Sequence, residues 1–248
     1  MRTRTIVLIL TTAIALGVLT GWFVLPDRSA SATPSLAPGA TASSTGLRSS
    51  TPKPVGGAVT DRNLLTAAEF GKVGFSARIY TRDRVGDGRY ANAACAGEKT
   101  LGETLGGPGA HFRGLVTSEK TDDTDPTLAV NIKDQVAREV VADAESPALA
   151  RNFAQRLVLE EAACQTEPVG HWVYGPTHTI DVAPGISASW LGSYAGDLNT
   201  TGSAPRGRES CGGIAVLRSG SHYGVLEVDA CLDTAAMTRL VRTAVTRL

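Results

Sequence analysis

The sequence lacks the short motifs that usually mark catalytic and metal sites. None of its four histidines begins an H-E-x-x-H, no cysteines are spaced as C-x-x-C, and no serine lies in a G-x-S-x-G turn. These absences argue against zinc proteases, zinc ribbons and hydrolases with a nucleophile elbow. We therefore predict no catalytic residue, no metal ion and no cofactor. A serine, histidine and aspartate brought together by the fold would carry no local motif, so an exported hydrolase stays an alternative.

An excess of positive charge is also lacking. The 24 basic and 24 acidic side chains of the whole chain balance, and residues 60–248 hold 19 basic against 23 acidic side chains, a net charge of −4. Domains that bind nucleic acid usually present a strongly basic surface. We predict no nucleic-acid partner.

Charged side chains are absent altogether from residues 6–25. As a helix these twenty residues would rise about 30 Å, the hydrocarbon thickness of a bilayer. Arg2 and Arg4 precede them and favour a cytoplasmic N-terminus, so we predict a cytoplasmic tail and transmembrane anchor over residues 1–26, with the remainder outside. The alternative is a signal peptide cleaved near Ala32, although the apolar run is longer than is typical of one.

Residues 27–59 consist mainly of Ser, Thr, Ala, Pro and Gly. Because such a composition cannot form a hydrophobic core, we predict a disordered tether over 27–59. Flexible chain of this length reaches roughly 30 to 100 Å, which would hold the following domain clear of the membrane. Residues 60–248 then have the length of one ordinary domain.

All four cysteines lie in the predicted exported part: Cys95, Cys164, Cys211 and Cys231. Disulfides form and persist outside the cytoplasm, and close cysteine pairs of a metal site are missing. We therefore predict two disulfides. A hairpin register that sets Cys211 opposite Cys231 also puts four apolar residues on one face, in the opposed pairs Ile214 with Val228 and Val216 with Leu226.

Residue patterns predict an α+β fold, an antiparallel sheet with helices packed on it. Helix starts are indicated at Thr66, through a capping box with Glu69, at Ser146 followed by Pro147, and at Asp233. Strands are predicted over residues 75–81, 111–118, 135–142 and 186–194. On the last helix we expect the arginines Arg239, Arg242 and Arg247 to lie in solvent.

Trp190 is the one candidate for a ligand cleft that the sequence offers. It occupies an inward position of the alternating strand over residues 186–194. A tryptophan there could line a binding site, but at such positions it more often belongs to the core, because its side chain buries a large apolar surface.

The order of these features resembles the PknH-like extracellular sensor domain of actinobacteria. The resemblance rests on the segment Leu64-Leu65-Thr66-Ala67-Ala68-Glu69-Phe70, the strand before Pro147, the helix ending at Cys164, and the hairpin with Cys211 and Cys231 before a final helix. It covers roughly residues 60–248. It implies a mixed helix and antiparallel-sheet fold behind one membrane span, a cleft for an unidentified ligand, and disulfides from Cys95 to Cys164 and from Cys211 to Cys231.

The kinase that names this family has a catalytic domain before its membrane span, whereas five residues precede the span here. We therefore expect no kinase activity, and we expect any binding event to be read outside the membrane, with a separate envelope protein as a possible partner. The preferred function is a non-catalytic, membrane-anchored sensor or ligand-binding domain for an unknown small molecule or envelope component. The alternatives are the exported hydrolase and a structural protein of the cell envelope.

Overall fold

A seven-stranded antiparallel sheet forms the centre of the domain. The computed structural model describes residues 56–86, 105, 107–119, 134–162, 173–194 and 207–248. Within these ranges the sheet has the order β1-β2-β3-β7-β6-β5-β4, and every neighbouring pair is antiparallel. Its strands are β1 (Tyr80–Val85), β2 (His111–Val116), β3 (Gln135–Asp143), β4 (Val173–Ala183), β5 (Ile186–Tyr194), β6 (Gly213–Ser219) and β7 (His222–Val228).

Helices cover both faces of this sheet. Among the described residues they are α1 (Ala67–Lys72), α2 (Pro147–Ala162) and α3 (Thr234–Arg247), with a 3-10 turn at Asp61–Asn63. One core lies between the sheet and α3, with α1 at its edge, and a second core lies between the sheet and α2. The predicted α+β fold is confirmed.

The three predicted helix starts are confirmed by their capping hydrogen bonds. Ser146 Oγ accepts from the amide of the third helical residue of α2 at 3.2 Å, and Asp233 Oδ1 does the same for α3 at 2.7 Å. At the start of α1 the Thr66 amide donates to Glu69 Oε2 at 2.7 Å. Each cap satisfies amides that the first turn of a helix leaves without an intrahelical acceptor.

Three of the four predicted strands coincide with β2, β3 and β5, whereas the first begins only at Tyr80. Strand β4 was not predicted. It contains Gly175 and Pro176, which are typical of loops, and its pairing with β5 is interrupted between Tyr174 and Thr177. Since β4 is an edge strand of the sheet, a proline can be accommodated there without the loss of a ladder hydrogen bond.

The predicted register of the last hairpin is wrong by one residue. In the structure Gly213 pairs with Val228 and Ser219 with His222, which leaves a two-residue turn that begins at Gly220, φ 62°. Ile214 and Val216 consequently face α2, while Leu226 and Val228 face α3. The prediction assumed that only one face of the hairpin is buried. Because helices cover both faces, the apolar residues can lie on either face. The short turn sets the register instead.

The Cys211–Cys231 disulfide is confirmed, but it lies beyond the ladder instead of across it. Its two Cα atoms are 4.0 Å apart, and the Cys211 amide donates to the carbonyl of Ser193 at 2.8 Å, so the bond closes the open end of the hairpin against β5. Closing a loop of 20 residues stabilises the fold by about 3 kcal/mol in the chain-entropy model. The predicted bond from Cys95 to Cys164 lies outside the described residues.

Two segments predicted from the N-terminal sequence fall outside the described residues, namely the span over 6–25 and most of the tether. No helix in the described part of the chain is long and apolar enough to cross a membrane. Val59, at the end of the predicted tether, is buried in the core beneath α3. The ring nitrogens of His222 lie 2.5 Å from the carbonyl oxygen of Gly57 and 2.7 Å from that of Leu248, so this residue links the two ends of the domain.

Arg247 does not lie in solvent as predicted. Its Nε donates to the carbonyl of Leu64 at 2.8 Å, and its Nη1 lies 3.4 Å from Glu69 Oε1. The pattern of α3 could not show this contact, because the partners of Arg247 come from a segment more than 170 residues away. Arg239 and Arg242 are exposed, as predicted.

A row of charged residues crosses the first three strands on the α3 face. Asp83, Arg113 and Glu139 are directly opposed in register. The Arg113 guanidinium donates two hydrogen bonds of 2.7 Å to the Asp83 carboxylate and one of 2.8 Å to the carbonyl of Leu65. Glu139 Oε2 accepts from the Leu65 amide at 2.6 Å. The row therefore holds the segment before α1 against the sheet.

Glu139 makes stability depend on pH near neutrality. Burial raises its pKa to about 7, against the opposing effects of the Leu65 amide and Arg113. A raised pKa means that the folded state binds the proton more tightly than the unfolded state. The stabilisation is therefore complete below the ordinary pKa of about 4.5 and is lost as the pH rises through 7.

We expect the free energy of unfolding to fall by up to about 3 kcal/mol between about pH 5 and pH 8. The substitution Glu139→Gln retains an acceptor for the Leu65 amide but cannot ionise, so it should remove the part of the slope that Glu139 causes. The remainder comes from Asp229, because burial and Glu227 raise its pKa to about 6. Urea titrations at both pH values test this, with Glu145→Gln at an exposed position as the control. An unchanged slope in the Glu139→Gln variant would contradict the assignment.

Candidate functional site

A cleft of about 480 Å³ lies between α2 and the neighbouring strands. Its helical wall consists of Arg151, Ala154, Gln155, Val158 and Leu159. Its floor consists of residues from β5 and β6, namely Ser187, Ala188, Ser189, Val216 and Arg218. The cleft therefore combines parts of the chain that are far apart in sequence.

The cleft exists because α2 covers only part of its face of the sheet. The helix packs over β6 and β7, where the rings of Phe153 and Tyr223 lie 5.0 Å apart and Leu157 is fully buried. Beside it, β5 presents the short side chains of Ser187 and Ser189. Two hydroxyls cannot fill the space that large apolar side chains fill beneath the rest of the helix, so a cleft remains.

Two arginines give the cleft a positive charge. Of the described residues that line it, only Arg151 and Arg218 are charged, and neither forms an ion pair with a carboxylate in that part of the chain. Arg218 Nη2 donates to Ser187 Oγ at 3.1 Å. Opposite Arg218 in the ladder, burial and the nearby Asp143 raise the pKa of Tyr223 to about 12, so its phenol is neutral. Among the lining residues that the structure describes, no carboxylate offsets the charge of the two arginines.

The other part of the cleft is apolar. Ala154, Val158 and Leu159 line it from α2, and Val216 lines it from β6. Leu159 is 72% exposed, which is unusual for a large hydrophobic residue of this domain. An apolar wall with a few convergent polar groups is typical of sites for small molecules.

Trp190, the cleft candidate from the sequence, lies on the opposite face of the sheet. Its side chain is 0% exposed in the core beneath α3, and its ring stacks on that of His178 at 4.2 Å. It does not line the cleft beside α2, although the adjacent Ser189 does. The structure thus places Trp190 in the core, the interpretation that the size of its side chain favours.

No group of three potential metal-binding side chains occurs among the residues that the structure describes. His111 Nδ1 lies 2.8 Å from Asp61 Oδ1, and His222 contacts two carbonyl oxygens, so both histidines have structural partners. Glu139, with a pKa of about 7, would suit a general base, but it is 1% exposed and bonded to the Leu65 amide. A substrate in solvent therefore cannot reach the Glu139 carboxyl group.

The residues that form the cleft were not recognised from the sequence. In the sequence Ser187 and Ser189 stand two residues apart in a strand, and Arg151 and Gln155 stand four residues apart in a helix, so each pair shares a face. Neither pattern shows that these faces meet, because that depends on strand order. The available signal was a polar strand face next to an otherwise apolar sheet.

Comparisons with known proteins leave the family open. No protein-family model matches the chain, and no curated protein does. A solved structure, the extracellular domain of PknH from Mycobacterium tuberculosis, matches with 13% sequence identity and a TM-score of 0.47, over 78% of this chain and 96% of that one. A likeness at this level says nothing about ligand or activity. Membership of the PknH-like family stays a prediction.

Proposed function

We propose that residues 60–248 form a non-catalytic ligand-binding or sensor-type domain on the outer side of the cell membrane, with its ligand in the cleft between α2 and the sheet. The cleft itself is the observation that carries this proposal. Its volume of about 480 Å³ lies in the range of small-molecule sites. Its lining combines the polar side chains of two arginines and two serines with an apolar wall, as is typical where a ligand must be oriented.

The cleft argues against the two alternative functions. A structural envelope protein has no need for a cleft that exposes Leu159 and in which, among the described residues, two arginines have no acidic partner. A hydrolase needs a base within reach of its nucleophile. Ser187 and Ser189 supply hydroxyls, but the described residues that line the cleft include no histidine and no carboxylate.

The location outside the cell rests on two features. The Cys211–Cys231 bond requires an oxidising environment to persist, which the outer side of the membrane provides. The uncharged run over residues 6–25, preceded by Arg2 and Arg4, supplies an anchor with the matching orientation. The anchored form is the proposal, and secretion after cleavage near Ala32 is the alternative.

Protease added to intact spheroplasts should degrade the domain while a cytoplasmic marker protein survives. The membrane fraction should contain the full-length chain before digestion, because the predicted span keeps it attached. A domain that survives in intact spheroplasts would contradict the topology. Domain found in the medium, beginning after Ala32, would instead show that the segment is a cleaved signal peptide.

Blocking the cleft should remove a bound molecule. We expect protein purified from its native host to release a small molecule on denaturation, detected by mass spectrometry. In the variant Ser189→Phe the new ring would occupy the cleft, so recovery of this molecule should fall at least about tenfold. The control is Thr81→Phe, at an exposed position on the distant edge strand β1.

Both variants should unfold at temperatures close to that of the unsubstituted protein, so that loss of ligand is not loss of fold. Equal recovery from all three proteins would show that the molecule does not occupy the cleft. Recovery of no specific molecule from any of them would argue against a ligand-binding function.

A further inference from the structure

We propose that the ligand of the cleft is an amphiphile with one anionic head group, a carboxylate or a phosphate, and a single apolar chain. This inference rests on the proposed function and specifies the chemistry of the same site. It follows from the way in which charge and apolar surface are separated along the cleft.

The two cations of the cleft lie toward the same end. Arg218 is opposite Tyr223 in the ladder, and the ring of Phe153 packs on Tyr223 at 5.0 Å. The first turns of α2 therefore lie beside the row of Arg218, and Arg151 belongs to those turns. A head group between them would meet two guanidinium groups, and Ser187 in the same row would offer a hydroxyl.

These donors suit an anion. The guanidinium of Arg218 uses one N–H in its bond to Ser187 Oγ, and its planar array of further donors matches the oxygens of a carboxylate or phosphate. Charge-assisted hydrogen bonds of this kind are about twice as strong as neutral ones. A cationic head group would be repelled by both arginines.

Polarity decreases away from this end along the side of α2 that lines the cleft. Arg151, Gln155 and Leu159 follow one another at intervals of four residues, so they form one stripe about 12 Å long that changes from charged to apolar. Strand β6 shows the same change, because Val216 lies one step along it from Arg218 on the same face, whereas β5 presents a serine in both rows. A chain that lies along the cleft would cover Leu159, which is 72% exposed without it.

The test uses the full-length protein in nanodiscs of zwitterionic phosphatidylcholine and a photoreactive decanoic acid as the probe. Labelled peptides identify the site, so partition of the probe into lipid does not obscure it. We expect labels in α2, β5 and β6, and competition by decanoate and decyl phosphate. Decanol and decyltrimethylammonium should need at least about tenfold higher concentrations, since each lacks the anion.

Substitutions at the two ends of the cleft test the head group and the apolar chain of the ligand separately. Arg218→Gln and Arg151→Gln should each raise the half-saturating probe concentration about tenfold, through loss of a charged donor. Leu159→Asp should do so by placing a charge against the chain. The matched controls, Arg239→Gln on α3 and Val85→Asp on β1, change exposed residues distant from the cleft and should label like the unsubstituted protein.

A further competitor, lysophosphatidylglycerol, distinguishes the source of the head group. If it competes at lower concentration than decanoate, the ligand is a membrane lipid; the reverse order indicates a free acid, and both orders support the proposal. Equal competition by decanol, or labelling unaffected by all three cleft variants, would overturn the anionic amphiphile while leaving a cleft ligand in place. Labelling confined to residues outside the cleft, together with no molecule recovered on purification, would overturn the proposed function as well.

Discussion

The central hairpin of β6 and β7 is buried on both faces, and the rest of the structure depends on this. From Gly213 to Leu217 and from His222 to Leu226 every residue is buried. A strand whose two faces are both apolar needs cover on each side. Helix α2 supplies it on one side and α3 on the other, and β3 and β5 flank the hairpin in the plane of the sheet.

Unequal cover of the two faces produces the candidate site. On the α3 face the cover is extended by the segment around α1, which Arg113, Glu139 and Arg247 hold by hydrogen bonds to Leu64 and Leu65. On the other face α2 packs over β6 and β7, and the serines of β5 leave room beside it. A closed, stabilising face and an open, polar-lined face are therefore combined in one domain.

Local features of this fold could be predicted from the sequence, and long-range ones could not. Caps such as Ser146 and Asp233 act within one turn, so their residues alone identify them. The predicted hairpin register was wrong by one residue, because the alternation of apolar and polar residues cannot indicate the register of strands that are buried on both faces. Strand β4 was missed because Gly175 and Pro176 indicate a loop unless an edge position is known. The cleft was missed because Arg151 and Arg218 line the same cleft only as a result of the strand order.

The central claim is that the open face beside α2 holds the ligand while the α3 face stays closed. Amide hydrogen exchange, followed by mass spectrometry, can compare protein that retains its native ligand with protein from which the ligand has been stripped. We expect the ligand to slow exchange in peptides from α2 and β5 and to leave exchange in α1 and α3 unchanged. Protection confined to α1 and α3, or no difference between the two samples, would contradict it.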